Sequence, residues 1–214
     1  MIETNLQPVL NELHKAFDLF NGHFFGNELP PVVITIQSQG KRSCYGWFSV
    51  QKVWSDNESA ELHEINISAE HIGSREGKMV SVLQTLLHEM LHHFASHNDI
   101  QDTSRSGSYH NKKFKQIAET HGMAYNHEIP DKKIGYSAIE LTDETKDLIE
   151  SWELDASAFE ISRIEFGEEA KKKKKSNIVK WECGCNVIIR SSKPEINVIC
   201  GDCGTRFEKV ETGE

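Results

Sequence analysis

The sequence predicts an α+β fold with a small metal-stapled unit at its C-terminal end, and three observations carry that reading. An apolar helical stripe near the start gives way to several β-branched runs before the next helix, so strands and helices come in separate groups. The next helix is long, apolar on most sides, and carries two histidines four residues apart. Four of the five cysteines, Cys183, Cys185, Cys200 and Cys203, fall within the last 32 residues.

Leu6, Leu10, Leu13, Phe17, Phe20 and Phe24 recur at steps of three and four, which predicts a helix over about 5–24. Gly22 and Gly26 lie near its end, and Pro30-Pro31 block continuation. Val32 to Ile36 is a β-branched strand, a second strand spans Cys44 to Val50, and a third runs from Leu62 to Ser68 through Ile65 and Ile67. The polar run Ser55 to Ser59 turns the chain between the last two. A helix follows over about 77–96. Ser96 to Ser108 is a polar loop, and the next helix starts near Tyr109 or His110 and runs through Phe114, Ile117 and Ala118 to Gly122. A short strand is predicted over 137–141, and Thr142 N-caps a helix from Asp143 to Trp152 whose first turn is acidic, as the helix dipole favours. Five lysines, Lys171 to Lys175, close a charged stretch. The boundaries are therefore a main domain over 1–165, a charged linker over 166–176 and a tail over 177–214.

The helix over 77–96 carries the chemistry. It contains His88-Glu89-Met90-Leu91-His92, and residues four apart on a helix share one face, roughly 6 Å along the axis. His88 and His92 can thus aim two imidazoles at one metal ion, with Glu89 placed as general base rather than as ligand. The pattern also arises by chance, so the rest of the helix decides. Met79, Val80, Leu83, Leu86, Leu87, Met90, Leu91 and Phe94 form a wide apolar stripe, leaving a narrow polar strip of Ser81, Gln84, Thr85, His88 and His92. A surface helix with two solvated histidines would be far less apolar. This one is buried on most sides with one face open to a cleft.

A catalytic zinc takes a third protein ligand and keeps one position open. A further histidine on the same helix is excluded by direction: His93 lies about 100° round from His92, and His97 about 180° from His88. One known arrangement needs a glycine three residues after the second histidine and a further histidine three beyond that, but the chain has Ala95 and Asn98 there. A glutamate from a downstream helix would complete another, with Glu119 as the candidate. His110 and His121 share a face of the following helix but stand roughly 16 Å apart, so only one can reach the metal. His110 is the better placed, at the helix start beside the loop returning from His92, whereas His121 suits a helix C-terminus. His127 is the remaining histidine downstream.

The tail reads Cys183-Gly184-Cys185, then Cys200-Gly201-Asp202-Cys203, with apolar segments Val187 to Ile189 and Ile196 to Ile199 between them as a hairpin. Two close cysteine pairs suit a closed, tetrahedral, structural zinc site, without which about 38 residues could hardly fold. A redox role would more often use a single Cys-x-x-Cys. Cys44, isolated upstream, reads as a small buried hydrophobe.

Composition frames these readings. The chain has 214 residues and a net charge of -9, split between -13 over residues 1–170 (14 Lys+Arg, 27 Asp+Glu) and +4 over residues 171–214 (10 against 6). A polyanion would be repelled by the body and accepted by the tail. Mean hydropathy is -0.52. No apolar run approaches the ~18 residues of a membrane span, and the N-terminus lacks a signal peptide's features. Those features, with cysteines clustered for metal rather than paired as disulfides, predict a cytoplasmic protein without membrane contact.

Leu86-Leu-His-Glu-Met-Leu-His92, Asn98-Asp99 and His110-Asn-Lys-Lys-Phe114 together resemble the SprT and Spartan zinc metallopeptidases, as do Phe20 to Pro30 and Ile65-Asn-Ile-Ser68. The similarity spans about 6–125 and resumes at the cysteine tail. It implies a zincin-like peptidase domain, with His110 as third ligand at the opening of a helix, and a C-terminal zinc ribbon. One departure is Asn111, where the family places a glycine after the third histidine. Implied cofactors are two zinc ions, one catalytic and one structural. The implied function is an endopeptidase for protein substrates with a link to DNA, since Spartan-type members degrade proteins crosslinked to DNA. Contact would run through Lys171 to Lys175 and the ribbon, although a solvated linker explains the lysines equally well. The ribbon itself, with five basic and six acidic residues over 177–214, is near neutral. A second class of function is a nucleic-acid-associated zinc-binding module, tied to transcription, with little or no peptidase activity. The intact His88, Glu89 and His92 argue against it. A metal-dependent hydrolase of non-peptide substrates is a third.

Overall fold

A computed structural model describes residues 5–38, 44–55, 60–72, 78–161, 163 and 178–210. The chain divides into two compact units, residues 1–165 and 166–214. The linker segment 166–176, the lysines at 171–175 and positions 56–59 of the proposed turn lie outside the described residues.

In the first unit, α1 (Gln7–Phe25) buries Val9, Leu13, Ala16, Phe17 and Phe20 on one face. It runs through Gly22 and ends at Gly26, whose left-handed φ of 62° lets its N–H cap the carbonyl of Asn21. The Asn21 side chain then pins Leu29 in both directions, donating to its carbonyl and accepting from its N–H, each at 3.1 Å. That pair turns the chain into β1 (Val32–Gln37). β2 (Gly46–Phe48), β3 (Trp54–Ser55) and β4 (Glu61–Ser68) follow. β4 is central: β1 lies parallel to it, and β2 and β3 pair with it antiparallel.

The alternation along β4 sends Ile65 and Ile67 into the core, both fully buried. They meet the apolar face of α2 (Lys78–His97), where Leu83, Leu86, Leu87, Met90 and Leu91 are also fully buried. The opposite face of β4 is buried too, contrary to what a simple apolar–polar alternation suggests. There Glu64 accepts hydrogen bonds from the Thr35 hydroxyl (2.5 Å), Gln37 Nε2 (3.1 Å) and Trp54 Nε1 (2.9 Å). A buried carboxylate is tolerated when its lone pairs are filled in this way.

After α2 come β5 (Thr103–Ser104) and β6 (Tyr109–His110), which pair with each other. α3 (Lys112–Thr120) follows, then β7 (Met123–Ala124) paired with β8 (Glu140–Leu141), and α4 (Asp143–Glu150). Thr142 caps α4, its hydroxyl accepting from Thr145 N. A 3₁₀ turn over Ala156–Glu160 buries Phe159, Trp152 packs edge-on against Phe20, and Glu12 of α1 accepts from Asp155 N at 3.1 Å. These contacts close the end of the first unit over its beginning.

The second unit is a three-stranded sheet. β9 (Val179–Glu182) is flanked by β10 (Ile188–Ser191) and β11 (Glu208–Lys209). Here the structure departs from the expected hairpin between 187–189 and 196–199: β10 pairs with β9 instead, and the strand pairing of 196–199 is limited to the bridge Ile199–Arg206. Phe207 joins Trp181, Cys183 and Cys200 in a very small core. Among the described residues, no helix is long and apolar enough to cross a membrane.

Candidate metal centre

α2 presents Thr85, His88, Glu89 and His92 to one cleft of about 810 Å³. α2 ends at His97, and two residues on Asp99 takes a left-handed φ of 54°, with Ile100 N donating to Ala95 O at 2.8 Å. This sharp stop turns the chain so that Asp102 comes back alongside His92. His92 Nδ1 lies 2.5 Å from Asp102 Oδ2, which fixes Nδ1–H as donor and leaves Nε2 as the free lone pair.

His110 reaches the same point from β6. Its N–H donates to Ile134 O at 3.0 Å and its Nδ1 faces that same carbonyl at 3.3 Å, so its Nε2 also points inward. The Nε2 atoms of His88 and His92 stand 3.2 Å and 3.1 Å from that of His110. A tetrahedral zinc with Zn–N bonds of ~2.0–2.1 Å requires nitrogens ~3.3 Å apart, close to these separations. Without a cation between them, such converging lone pairs would repel. Burial and the neighbouring imidazoles push His88 well below its ordinary pKa and His110 down to about 4, so both stay neutral and ready to ligate. Phe114, fully buried, packs its ring against all three histidines at 4.5–4.9 Å and forms the floor of the site.

Glu89 is buried in the same cleft and stands outside the histidine cluster. Burial pushes its carboxyl up to about 7, with His92 opposing that rise and Asp102 adding to it. Above it lies β2. A β-carbon on Gly46 would stand 2.8 Å from both Asn66 O and Thr85 Cγ2, and 3.3 Å from Glu89 Cγ, so only glycine lets the strand lie this close to the base.

The other residues weighed from sequence go elsewhere. His93 is buried with Nε2 on Pro30 O at 2.9 Å, tying α2 to the turn before β1. His97 ends α2 and is exposed. His121 caps α3, with Nδ1 2.7 Å from Ile117 O, and His127 packs on Tyr125. Glu119 pairs with Lys115. His110 itself is not in a helix, as expected from sequence, but in a strand. Asn111 is the reason: its Oδ1 accepts from Lys113 N (2.7 Å) and Phe114 N (3.3 Å), so α3 starts after it. With φ at -91°, Asn111 occupies a position that needs no glycine. Cys44 is half-buried and lines the cleft rather than sitting in the core.

Sequence reasoning passed over three contributors: Asp102, Gly46 and the turn at 131–135. Asp131 Oδ1 accepts from Lys133 N and Ile134 N, and the Asp131 and Gly135 backbones exchange two hydrogen bonds. The Asp-x-x-x-Gly spacing was the available signal, a turn without any hint of what it holds.

In the second unit the Sγ atoms of Cys183, Cys185, Cys200 and Cys203 all lie within 4.8 Å of one another. Cys185 Sγ is 3.3 Å from Cys183 and 3.7 Å from Cys200, near the ~3.8 Å edge of a tetrahedral zinc thiolate site. Both pairs sit in tight turns, with Asn186 and Gly204 at left-handed φ of 65° and 69°. Cys183 N donates to Val187 O, and Gly204 N to Cys200 O.

A mixed α/β chain with a three-histidine centre on one unit and a four-cysteine cluster on the other has the donor sets of a zinc-binding protein. The sequence profile of the SprT-like family matches residues 13–134, more than half of the chain, and the protein belongs to that family. It is also 48% identical over 42 residues to an uncharacterised protein from the mucB 3′ region of Salmonella typhimurium. That stretch is 20% of this chain and 54% of the relative, so the chain spans about half of the relative's length.

The two sites should differ in lability. Freshly isolated protein is expected to hold two zinc equivalents, and a mild chelator should strip the open three-histidine site first while the closed thiolate site holds. Metal analysis before and after chelation checks this, with one equivalent expected to remain. A single equivalent in fresh protein would contradict it.

Proposed function

We propose that this chain is a zinc-dependent endopeptidase that binds its substrate as an extended strand and acts on proteins held at DNA. The observation that carries the peptidase reading is the convergence of three histidine Nε2 atoms beside a buried carboxylate that is not one of them. Held there by His88, His92 and His110, zinc would polarise a peptide carbonyl and acidify a water. Glu89 takes the proton from that water as it attacks the carbonyl carbon, and delivers it to the amine nitrogen as the C–N bond breaks. Burial raises this carboxyl above the ordinary carboxylate range, which suits a group that both takes up and returns a proton. Asp102 keeps His92 in the ligating tautomer, and the Ile134 carbonyl does the same for His110.

Main-chain recognition has one natural place. β4 is the centre of its sheet, whereas β2 pairs only with β4 among the described residues. The register Trp47–Asn66, with Ser49 N on Glu64 O and Ser68 N on Tyr45 O, turns the N–H and C=O of Gly46 and Phe48 away from β4. An extended peptide can add along that edge, directly above Glu89. Hydrolysis of an unfolded protein by the zinc-loaded chain, lost on chelation and restored by zinc, tests the peptidase reading.

The DNA part rests on the resemblance to Spartan-type enzymes and on the charge split, which leaves +4 on residues 171–214 against -13 on the rest. If the tail binds DNA, affinity should fall steeply with salt, with a log–log slope of about -0.9 per phosphate neutralised on duplex. A chain ending near residue 170 should lose that binding and any stimulation by DNA, yet still cleave an unfolded peptide. Full-length protein with no salt-dependent DNA binding would remove DNA from the proposal and leave the ribbon a structural or protein-binding module.

A further inference from the structure

Ile134 occupies an unusual position. Its carbonyl is bonded to the backbone N–H of His110 at 3.0 Å and faces the ring Nδ1 of the same residue at 3.3 Å. Its side chain, 44% exposed, lines the cleft. One residue therefore holds the third histidine from behind and shows an aliphatic surface to whatever enters. Across the cleft the β2 side is apolar as well, with Tyr45 50% exposed and Val50 74% exposed. Ala138 and Ile139 continue the Ile134 wall. The charged side chains in the described lining are acidic, apart from the histidines. Of these, Asp102 is tied to His92, Glu140 to Asn126, and Glu89 is the base.

A surface of this kind rewards apolar side chains and penalises carboxylates, which would enter beside other carboxylates and lose water without gaining a partner. Because the Ile134 main chain is one hydrogen bond from a metal ligand, a substrate side chain against Ile134 belongs to a residue beside the scissile bond. We propose that the site selects extended polypeptide segments that place a large apolar side chain next to the cleaved bond, and that Ile134 is the residue that reads it. The substrate class is then the unfolded or peeled-back segment of a protein, whose core residues are exposed, rather than a charged surface loop. This rests on the peptidase reading and narrows it.

The test uses the full zinc-loaded chain on a denatured protein, with cleavage sites mapped by mass spectrometry, then on matched peptides. The peptides carry Leu, Ala or Asp at the mapped position beside the cut. Sites should concentrate beside Leu, Ile, Val, Phe, Tyr or Met, and Leu should exceed Ala in kcat/KM by about tenfold or more, with Asp lowest. Ile134→Ala should shrink the Leu-over-Ala ratio with zinc content unchanged, and Ile134→Lys should raise Asp above Leu. Cleavage indifferent to the neighbouring side chain, or an Ile134→Ala variant that slows every peptide equally, would overturn the selection while leaving the peptidase standing. No cleavage of any substrate by protein with its full zinc would overturn the peptidase reading and this one with it.

Discussion

Glu89→Gln is expected to abolish hydrolysis, by about 10²–10⁴-fold, while both zinc sites stay loaded. Glutamine keeps the shape of glutamate, so the close approach of Gly46 to the side chain at 89 is preserved. Since the three histidine Nε2 atoms converge without it, metal retention should not depend on its charge. What is lost is the proton acceptor. The measurement pairs zinc content with turnover of an unfolded substrate in the same preparation. Near wild-type turnover would refute the general-base role, and loss of zinc along with activity would make Glu89 a ligand.

How far the sequence foretold this site depends on whether a role is local. His88, Glu89 and His92 were legible because four-residue spacing fixes their common face, and α2's apolar stripe said which face was left over. The four cysteines were legible because two close pairs separated by a short segment have the spacing of a four-thiolate metal site. His110 was legible as a residue but not as a structure. Lys112 to Ala118 is helical in pattern, and nothing marks Tyr109–His110 as a two-residue strand, which is too short to show any periodicity. The Asn111 cap decides the boundary, and it is visible only once the side chain is seen on Lys113 N and Phe114 N.

Roles that depend on distant partners were out of reach. Asp102 becomes a partner of His92 only because α2 stops at His97 and the chain turns at Asp99, and Glu64 is buried only because Thr35, Gln37 and Trp54 arrive from other strands. The Leu62 to Ser68 pattern reads as half-exposed, yet Glu64, Asn66 and Ser68 are all buried. In the tail, the β-branched 196–199 run imitates a hairpin partner for 187–189, but β10 pairs with β9, and Phe207 beyond the last cysteine is what the small core buries. Local pattern placed the elements; long-range pairing decided which of them touch.

The turn at 131–135 is the sharpest case, and it gives the second large expected effect. Gly135 has a left-handed φ of 67°, and a β-carbon there would sit 2.0 Å from His110 O and 3.0 Å from Tyr109 Cε1. Neither atom belongs to a flexible chain end. The carbonyl is that of the third ligand itself, which also accepts from Tyr136 N at 3.0 Å. Gly135→Ala must therefore push β6 and the 134–136 backbone apart, carrying His110 Nε2 away from its 3.1–3.2 Å separation from the other two histidines. The expected result is selective loss of one zinc equivalent, with activity falling in step and the four-cysteine site still loaded. Gly26→Ala is the control, because Gly26 has a similar φ of 62° but nothing within 4 Å of its missing β-carbon. It should cost about 1–2 kcal/mol of left-handed strain and leave the metal in place. If Gly135→Ala kept two zinc equivalents and full turnover, this turn would not be what holds the third ligand.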